Sequence, residues 1–208
     1  MNELQELFSV SIPQSVENLM LPDPALLDHY RDAEKRVFWL EGDVCNKTLE
    51  LAKAIMRCNQ EDRGVEPEDR KPIRIFIDTY GGDVQIMWTL VNVIKISKTP
   101  VHTIVFCNAM SAGAHILAAG HKRFAMPGAT ILVHSGSVEF GGDVEKVESA
   151  KKYFDNLGKQ ANAQFLEDTQ VLPKDLKRKG AIDWYMSAEE ALKQGLIDAI
   201  VTDFEEVM

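Results

Sequence analysis

The chain has 208 residues, of which 45% are hydrophobic and 26% charged, with a formal net charge of −9; these are ordinary values for one globular domain large enough to bury a core. The acidic balance argues against a nucleic-acid binder, which would carry a basic stripe, and no apolar run approaches the length of a membrane span. Cys45, Cys58 and Cys107 are odd in number and widely spaced, fitting neither a disulfide framework nor a zinc site, so with an acidic N-terminus that lacks a secretion signal a reduced, cytoplasmic setting is expected.

Residues 1–30 are interrupted by Pro13, Pro22 and Pro24. They read as an N-terminal arm, poorly packed or ordered against a partner, ahead of a domain over 31–208. VFWLEG (37–42) reads as a strand, and a helix follows from about Lys47 with Leu51, Ala52, Ile55 and Met56 on one face. Residues 59–72 form a charged loop with Gly and Pro. IRIFID (73–78) is a second strand, and TYGG turns the chain into a helix bearing Val84, Met87, Val91 and Ile94 at helical spacing.

Pro100 ends that helix, VHTIVF (101–106) is a third strand, and Ser111 opens a third helix. RFAMPG is a short strand and turn, and ATILVH (129–134) another strand. This alternation indicates an α/β fold with a mostly parallel sheet. A long helix is expected over 142–171, with Val144, Val147, Ala150, Phe154, Leu157, Ala161 and Phe165 at steps of three or four. It exceeds what a compact core of this size needs, so it is expected to project and meet its apolar partner on another copy of the chain. Near the C-terminus, Ser187 and Glu190 make a capping box, Gly195 ends that helix, and LIDAIV closes as a strand.

Ser111 stands at a strand-to-helix turn in NAMSAGAHILAAG. Its small neighbours expose the hydroxyl, let a substrate backbone approach, and aim unpaired helix N–H groups at the same spot. A serine hydroxyl needs a base, usually imidazole near neutral pH. Of five histidines, His134 ends the strand ATILVH before Ser135-Gly136, at the carboxyl edge of the sheet where functional groups of parallel sheets gather. His115, one helical turn after Ser111, is the rival, although its ring would run along the helix. A strand-end histidine taken alone is more often a core residue with a backbone partner. Asp183 in AIDWYMS suits an orienting carboxylate partly buried by Ile182, Trp184 and Tyr185, and equally suits an Asx-turn. The turn DTYGGD (78–83) exposes backbone N–H groups that, with the amide of Ala112, suit a developing oxyanion. Asp78, Asp83 and a histidine are a weaker metal reading, because Asp83 is better explained as a helix N-cap.

Taken together, RVFWLEG, IFIDTYGGDV, NAMSAGAHILAAG, ILVHSG and DWYMSAEEALKQGLIDAI resemble, in order and spacing, the proteolytic subunits of ATP-dependent Clp proteases from about Arg36 to Ile200. The resemblance implies Ser111 as nucleophile, His134 as general base, Asp183 as the acid that orients it, and Gly82 and Ala112 as oxyanion donors. It implies a Clp protease/crotonase-like spiral of ββα units whose long helix is a handle between two stacked heptameric rings. An extended polypeptide substrate would lie beside the glycine turn and SGSVEFGG. No metal or other cofactor is implied, and ATP belongs to a separate AAA+ unfoldase partner; neither nucleic acid nor membrane is implied. The chain departs from the family at Asp78-Thr79-Tyr80 in place of Asn-Ser-Pro and at Ser135-Gly136 in place of Gln-Pro. Trp184 stands where a basic residue often follows the aspartate, the loop at 59–72 is longer, and residues 1–30 do not resemble the axial-loop segment. Two other function classes share parts of this pattern: a crotonase-like acyl-CoA enzyme, for which no basic phosphate site is evident, and an assembly paralogue that does not cleave.

Overall fold

The β-branched run Ile73–Thr79 (β2) lies at the centre of the sheet, with every residue but Arg74 and Asp78 buried. In the computed structural model, which describes residues 27–208, β2 pairs in parallel with Val37–Glu41 (β1) on one side and Val101–Met110 (β3) on the other. A strand buried on both faces reads as a near-continuous apolar run rather than an alternation, because helices cover parallel sheets. The reading of residues 1–26 as an arm lies outside the described residues; helix α1 (Leu27–Glu34) runs across position 30.

The sheet continues β1-β2-β3-β4-β7, with β4 at Lys122–Ala125 and β7 at Ala199–Ile200. All of these pairings are parallel. β3 extends four residues beyond the strand expected from VHTIVF, and this extension positions the site. Register along β2 slips so that Ile77 faces Val105 but Thr79 faces Ala109. A bulge of this kind bends the strand and re-aims the residues beyond it. The first half of β3 therefore pairs with β4, and the second half pairs with β5 (Thr130–Val133). β5 in turn takes an antiparallel partner, β6 (Trp184–Ser187), a strand not expected from the sequence.

Helices α2 (Leu49–Glu61), α3 (Val84–Ile96) and α4 (Ala112–Ala118) pack on the sheet through one main core. α2 follows a 3-10 turn at Asn46–Thr48, close to the expected start. A smaller core of Val37, Phe76, Ile104, Val201 and Val207 covers part of the opposite face. Asp62 at the end of α2 is buried, and its carboxylate accepts from both Arg36 terminal nitrogens at 2.7 and 2.8 Å and from Thr99 Oγ1 at 2.8 Å. This clamps the start of the expected 59–72 loop, and the Arg36 guanidinium holds the Asp62 carboxyl below the usual range.

The long helix α5 spans Val144–Asp168, shorter than 142–171 by a few residues at each end. Its 25 residues measure about 37 Å at 1.5 Å per residue. Only Ala161 and Phe165 on it are buried, so its first four turns carry Val144, Val147, Phe154 and Leu157 without full cover in the protomer. Two short elements after it complete the fold: α6 (Pro173–Lys179), not expected from the sequence, and α7 (Ala188–Lys193), capped by the Ser187 hydroxyl on the Glu190 N–H. Gly195 at φ 60° ends α7. The expected closing strand LIDAIV shrinks to the two residues of β7. No helix among the described residues is long and apolar enough to cross a membrane.

Candidate active site

Ser111 follows the last residue of β3 and precedes α4, at φ 54° and ψ −119°. A non-glycine residue there costs on the order of 1–3 kcal/mol and persists only when its surroundings over-determine it. They do: the Ser111 N–H donates to the Leu132 carbonyl at 2.9 Å, and its own carbonyl accepts from Ala114 N–H at 3.0 Å. Ala112 and Gly113 come next, both buried, so no side chain crowds the hydroxyl from the helix. Gly113 is required by Thr79, whose Cγ2 methyl occupies the place of a Cβ.

The pairing of β3 with β5 brings the imidazole to this hydroxyl. Met110 is opposite Leu132 in parallel register, so Ser111 and His134 leave the sheet at the same edge. His134 Nε2 lies 2.8 Å from Ser111 Oγ. On the other side of β5, the antiparallel register sets Val133 opposite Trp184, which makes His134 and Asp183 the next pair beyond the ladder. His134 Nδ1 is 3.2 Å from Asp183 Oδ1. With the Nδ1 proton facing the carboxylate, Nε2 is left free to accept from the serine hydroxyl, the tautomer a general base requires. The chain after His134 is anchored by Ser135 N–H donating to the Gly180 carbonyl at 2.8 Å.

Asp183 is placed by its own strained backbone, φ 55° and ψ 98°. Among the described residues three non-glycine positions have positive φ, and two of them are Ser111 and Asp183. The expected apolar enclosure of Asp183 is absent in the protomer. Its side chain is 55% exposed, Ile182 and Tyr185 are also exposed, and only Trp184 turns inward. The cause is strand periodicity: in β6, Trp184 and Met186 face the core while Tyr185 and Ser187 face out.

The glycine turn packs directly on the serine. Gly81 is buried at φ 107°, and a Cβ there would stand 2.7 Å from Ser111 Cβ and 3.2 Å from Ala112 N. The Gly81 N–H is taken by Thr79 Oγ1 at 3.0 Å, and the Thr79 hydroxyl donates to the Gly42 carbonyl. Val44 brackets the turn, its N–H donating to the Gly81 carbonyl at 2.8 Å and its carbonyl accepting from Asp83 N–H at 2.8 Å. Gly82, at φ 147°, cannot carry a Cβ because the Val44 carbonyl oxygen fills that space. The N–H groups of Gly82 and Ala112 have no protein acceptor among the described residues. Two unused donors beside a nucleophile are what a developing oxyanion needs.

Thr79 was not marked by the sequence as a site residue. A buried polar residue at the end of an otherwise apolar strand, next to a glycine pair, is the signal that it has a partner to satisfy.

The remaining candidates resolve into other roles. His115 leans away from Ser111 onto Phe165 of α5, with ring centroids 5.1 Å apart, and burial pushes its pKa down to about 4. Asp83 caps α3 by accepting from Gln85 N–H at 2.7 Å and Ile86 N–H at 3.1 Å. Asp78 accepts from the backbone and side-chain nitrogens of Asn108, each at 3.1 Å. Trp184, in the family's basic position, is buried; it donates through Nε1 to Glu190 at 3.0 Å and carries Lys179 Nζ 4.1 Å from its ring centroid.

This arrangement is a hydroxyl, an imidazole and a carboxylate in series beside two free amides, with the chemical capacity for nucleophilic acyl transfer. A family model described as Clp protease matches residues 46–204, which contain every one of these groups. The chain is also similar to the ATP-dependent Clp protease proteolytic subunit of Deinococcus radiodurans. The two are 34% identical over 136 residues, covering 64% of this chain and 67% of the relative.

Proposed function

Because this chain belongs to the Clp protease family, we propose that Ser111, His134 and Asp183 are the catalytic triad of a self-compartmentalising serine endopeptidase. The protein is a hydrolase of the serine-peptidase type, of the kind found in Clp proteolytic subunits. The observation that carries the assignment of residues is the continuous contact from Ser111 Oγ through the His134 ring to Asp183, at 2.8 and 3.2 Å.

Ser111 Oγ attacks the carbonyl carbon of an extended polypeptide while His134 Nε2 takes the hydroxyl proton. The negative charge that develops on the carbonyl oxygen is met by the Gly82 and Ala112 N–H groups, which are fixed before the reaction begins. Asp183 keeps the Nδ1 proton in place and stabilises the imidazolium. His134 then gives its proton to the leaving amine, and an acyl-serine ester remains. Water, activated by the same imidazole, releases the acid and restores the hydroxyl.

The projecting turns of α5 support an assembly in which the helix serves as a handle between two stacked heptameric rings. Polypeptide entry would then depend on a separate AAA+ unfoldase, and the catalytic cycle itself uses no metal or cofactor. A cytoplasmic setting suits both the acidic surface and the unpaired cysteines.

The test is Ser111→Ala. Peptide cleavage and fluorophosphonate labelling are expected to disappear while the assembled particle persists on gel filtration. Labelling that survives in the variant rejects Ser111 as nucleophile. Acyl-CoA binding detected by isothermal titration would instead favour a crotonase-like thioester chemistry.

A further inference from the structure

A cavity of about 250 Å³ opens beside His134, between the base of α5 and helix α6. Ligand pockets for whole small molecules run roughly 300–1,000 Å³, so this one has the size of a side chain rather than of a free metabolite. Leu166, Pro173 and Leu176 make its apolar wall. Asn162 and Lys177 are polar groups on the lining, and no carboxylate lines it.

Lys177 differs from the other charged residues of its neighbourhood. Arg178 pairs with Asp175 at 3.3 Å, and Lys179 lies 3.8 Å from Glu190 and over the Trp184 ring. Lys177 has no salt-bridge partner among the described residues, and its ammonium group therefore stands as the unmatched charge at the cavity.

A carbonyl carbon under attack by Ser111 Oγ brings its neighbouring side chains to the flank of His134. The acyl half of the substrate stays covalently bound through the second half of the reaction, whereas the leaving half must exchange with water. The half that is retained is the one that gains from an enclosed cavity. Resting on the serine-peptidase reading above, we propose that this cavity receives the side chain on the acyl side of the scissile bond, and that Lys177 makes a carboxylate-tipped residue, glutamate foremost, the favoured occupant. Glutamate combines a short apolar stem for the Leu166 and Leu176 wall with an acceptor for the Lys177 and Asn162 donors. A lysine side chain in the same cavity would meet like charge with no carboxylate to relieve it.

The experiment uses the full chain and fluorogenic peptides that differ only in the residue before the scissile bond, set in turn to Glu, Gln, Leu and Lys. The reading is the Glu-to-Lys ratio of kcat/KM within one protein, so differences in active concentration cancel. An exposed charge pair is worth up to about fivefold, so the unaltered enzyme is expected to favour Glu over Lys by about that factor at low salt. The preference should shrink toward unity as salt screens the pair. Lys177→Met should bring the ratio near one, and Lys177→Glu should invert it. A ratio that is the same in all three proteins, or a preference for Lys in the unaltered enzyme, overturns the inference. So does charge selectivity that appears only when the leaving-side residue is varied. Fluorophosphonate labelling of Ser111 with a flat ratio rejects this inference alone. Absence of both labelling and cleavage across the panel rejects the serine-peptidase reading and this inference with it.

Discussion

Gly81 and Ser111 are in such close apposition that a Cβ at position 81 would stand 2.7 Å from the serine Cβ. The glycine turn thus forms the wall against which the strained nucleophile is set. Gly81→Ala adds both a clash and an unfavourable φ, so about 1–3 kcal/mol of stability should be lost. The labelling rate with a fluorophosphonate should fall more than the melting temperature alone explains. An Ala variant that labels at the original rate would show that the turn and the serine are independent.

Thr79 holds that turn through two hydrogen bonds of one hydroxyl. Thr79→Val leaves the Gly81 N–H and the Gly42 carbonyl without their partner, at a cost of about 1–3 kcal/mol. Thr79→Ser keeps the hydroxyl and loses only the methyl that packs on Gly113, so it should recover most of the activity. Chemical denaturation of the pair, read beside peptidase rates, separates hydrogen bonding from packing.

Asp183→Asn keeps the shape but turns the carboxylate that faces His134 Nδ1 into an amide, whose NH₂ favours the wrong imidazole tautomer. Peptide kcat should drop by at least about 10²-fold, with KM little changed. The exposure of the Asp183 side chain in the protomer makes this a sharp measurement. If the drop is under tenfold, solvent orients His134 nearly as well as the carboxylate does.

His115 gives the protein a stability slope in acid. Burial holds its pKa near 4 in the folded chain, against about 6.5 when unfolded. The unfolded state therefore binds more protons between these values, and stability rises with pH across that window and levels off above it. From pH 7 to pH 5 the loss from this group is up to about 2 kcal/mol. His102, also held near 4 by burial, acts in the same sense. Urea midpoints should fall between pH 7 and pH 5, and His115→Gln should flatten that fall. An unchanged slope in the variant would assign the acid sensitivity elsewhere.

Leu157 lies on the part of α5 that the protomer does not cover fully. Leu157→Glu places a charge where a second copy is expected to pack, so a double-ring particle should give way to one of about half its mass. Sedimentation velocity reads the change directly. A particle of unaltered size would remove α5 from the ring-stacking contact.

The α/β class and most of the strands were legible in the sequence because the signal for each is local. An apolar run such as IRIFID needs no knowledge of its partners to be read as a buried strand, and Asp83 before Val84 declares a helix start by its own capping chemistry. The missed elements have no such signal. PKDLKRK is short and has one buried apolar residue, Leu176. WYMS becomes a strand only because β5 offers it an edge. The extension of β3 to Met110 likewise depends on a bulge against β2 and on pairing with β5.

The same division holds at the site. The chain by itself determined which hydroxyl, imidazole and carboxylate carry acyl-transfer chemistry, because residue type and a turn of small neighbours are written along one segment at a time. Only the tertiary structure decided that they meet, through a parallel pairing that sets Met110 beside Leu132 and an antiparallel one that sets Val133 beside Trp184. It also decided that Asp183 stands in the open and that His115 turns away to Phe165. Burial and ring orientation arise from segments far apart in the chain, and hydrogen-bond register between strands is a property of pairs that no single segment encodes.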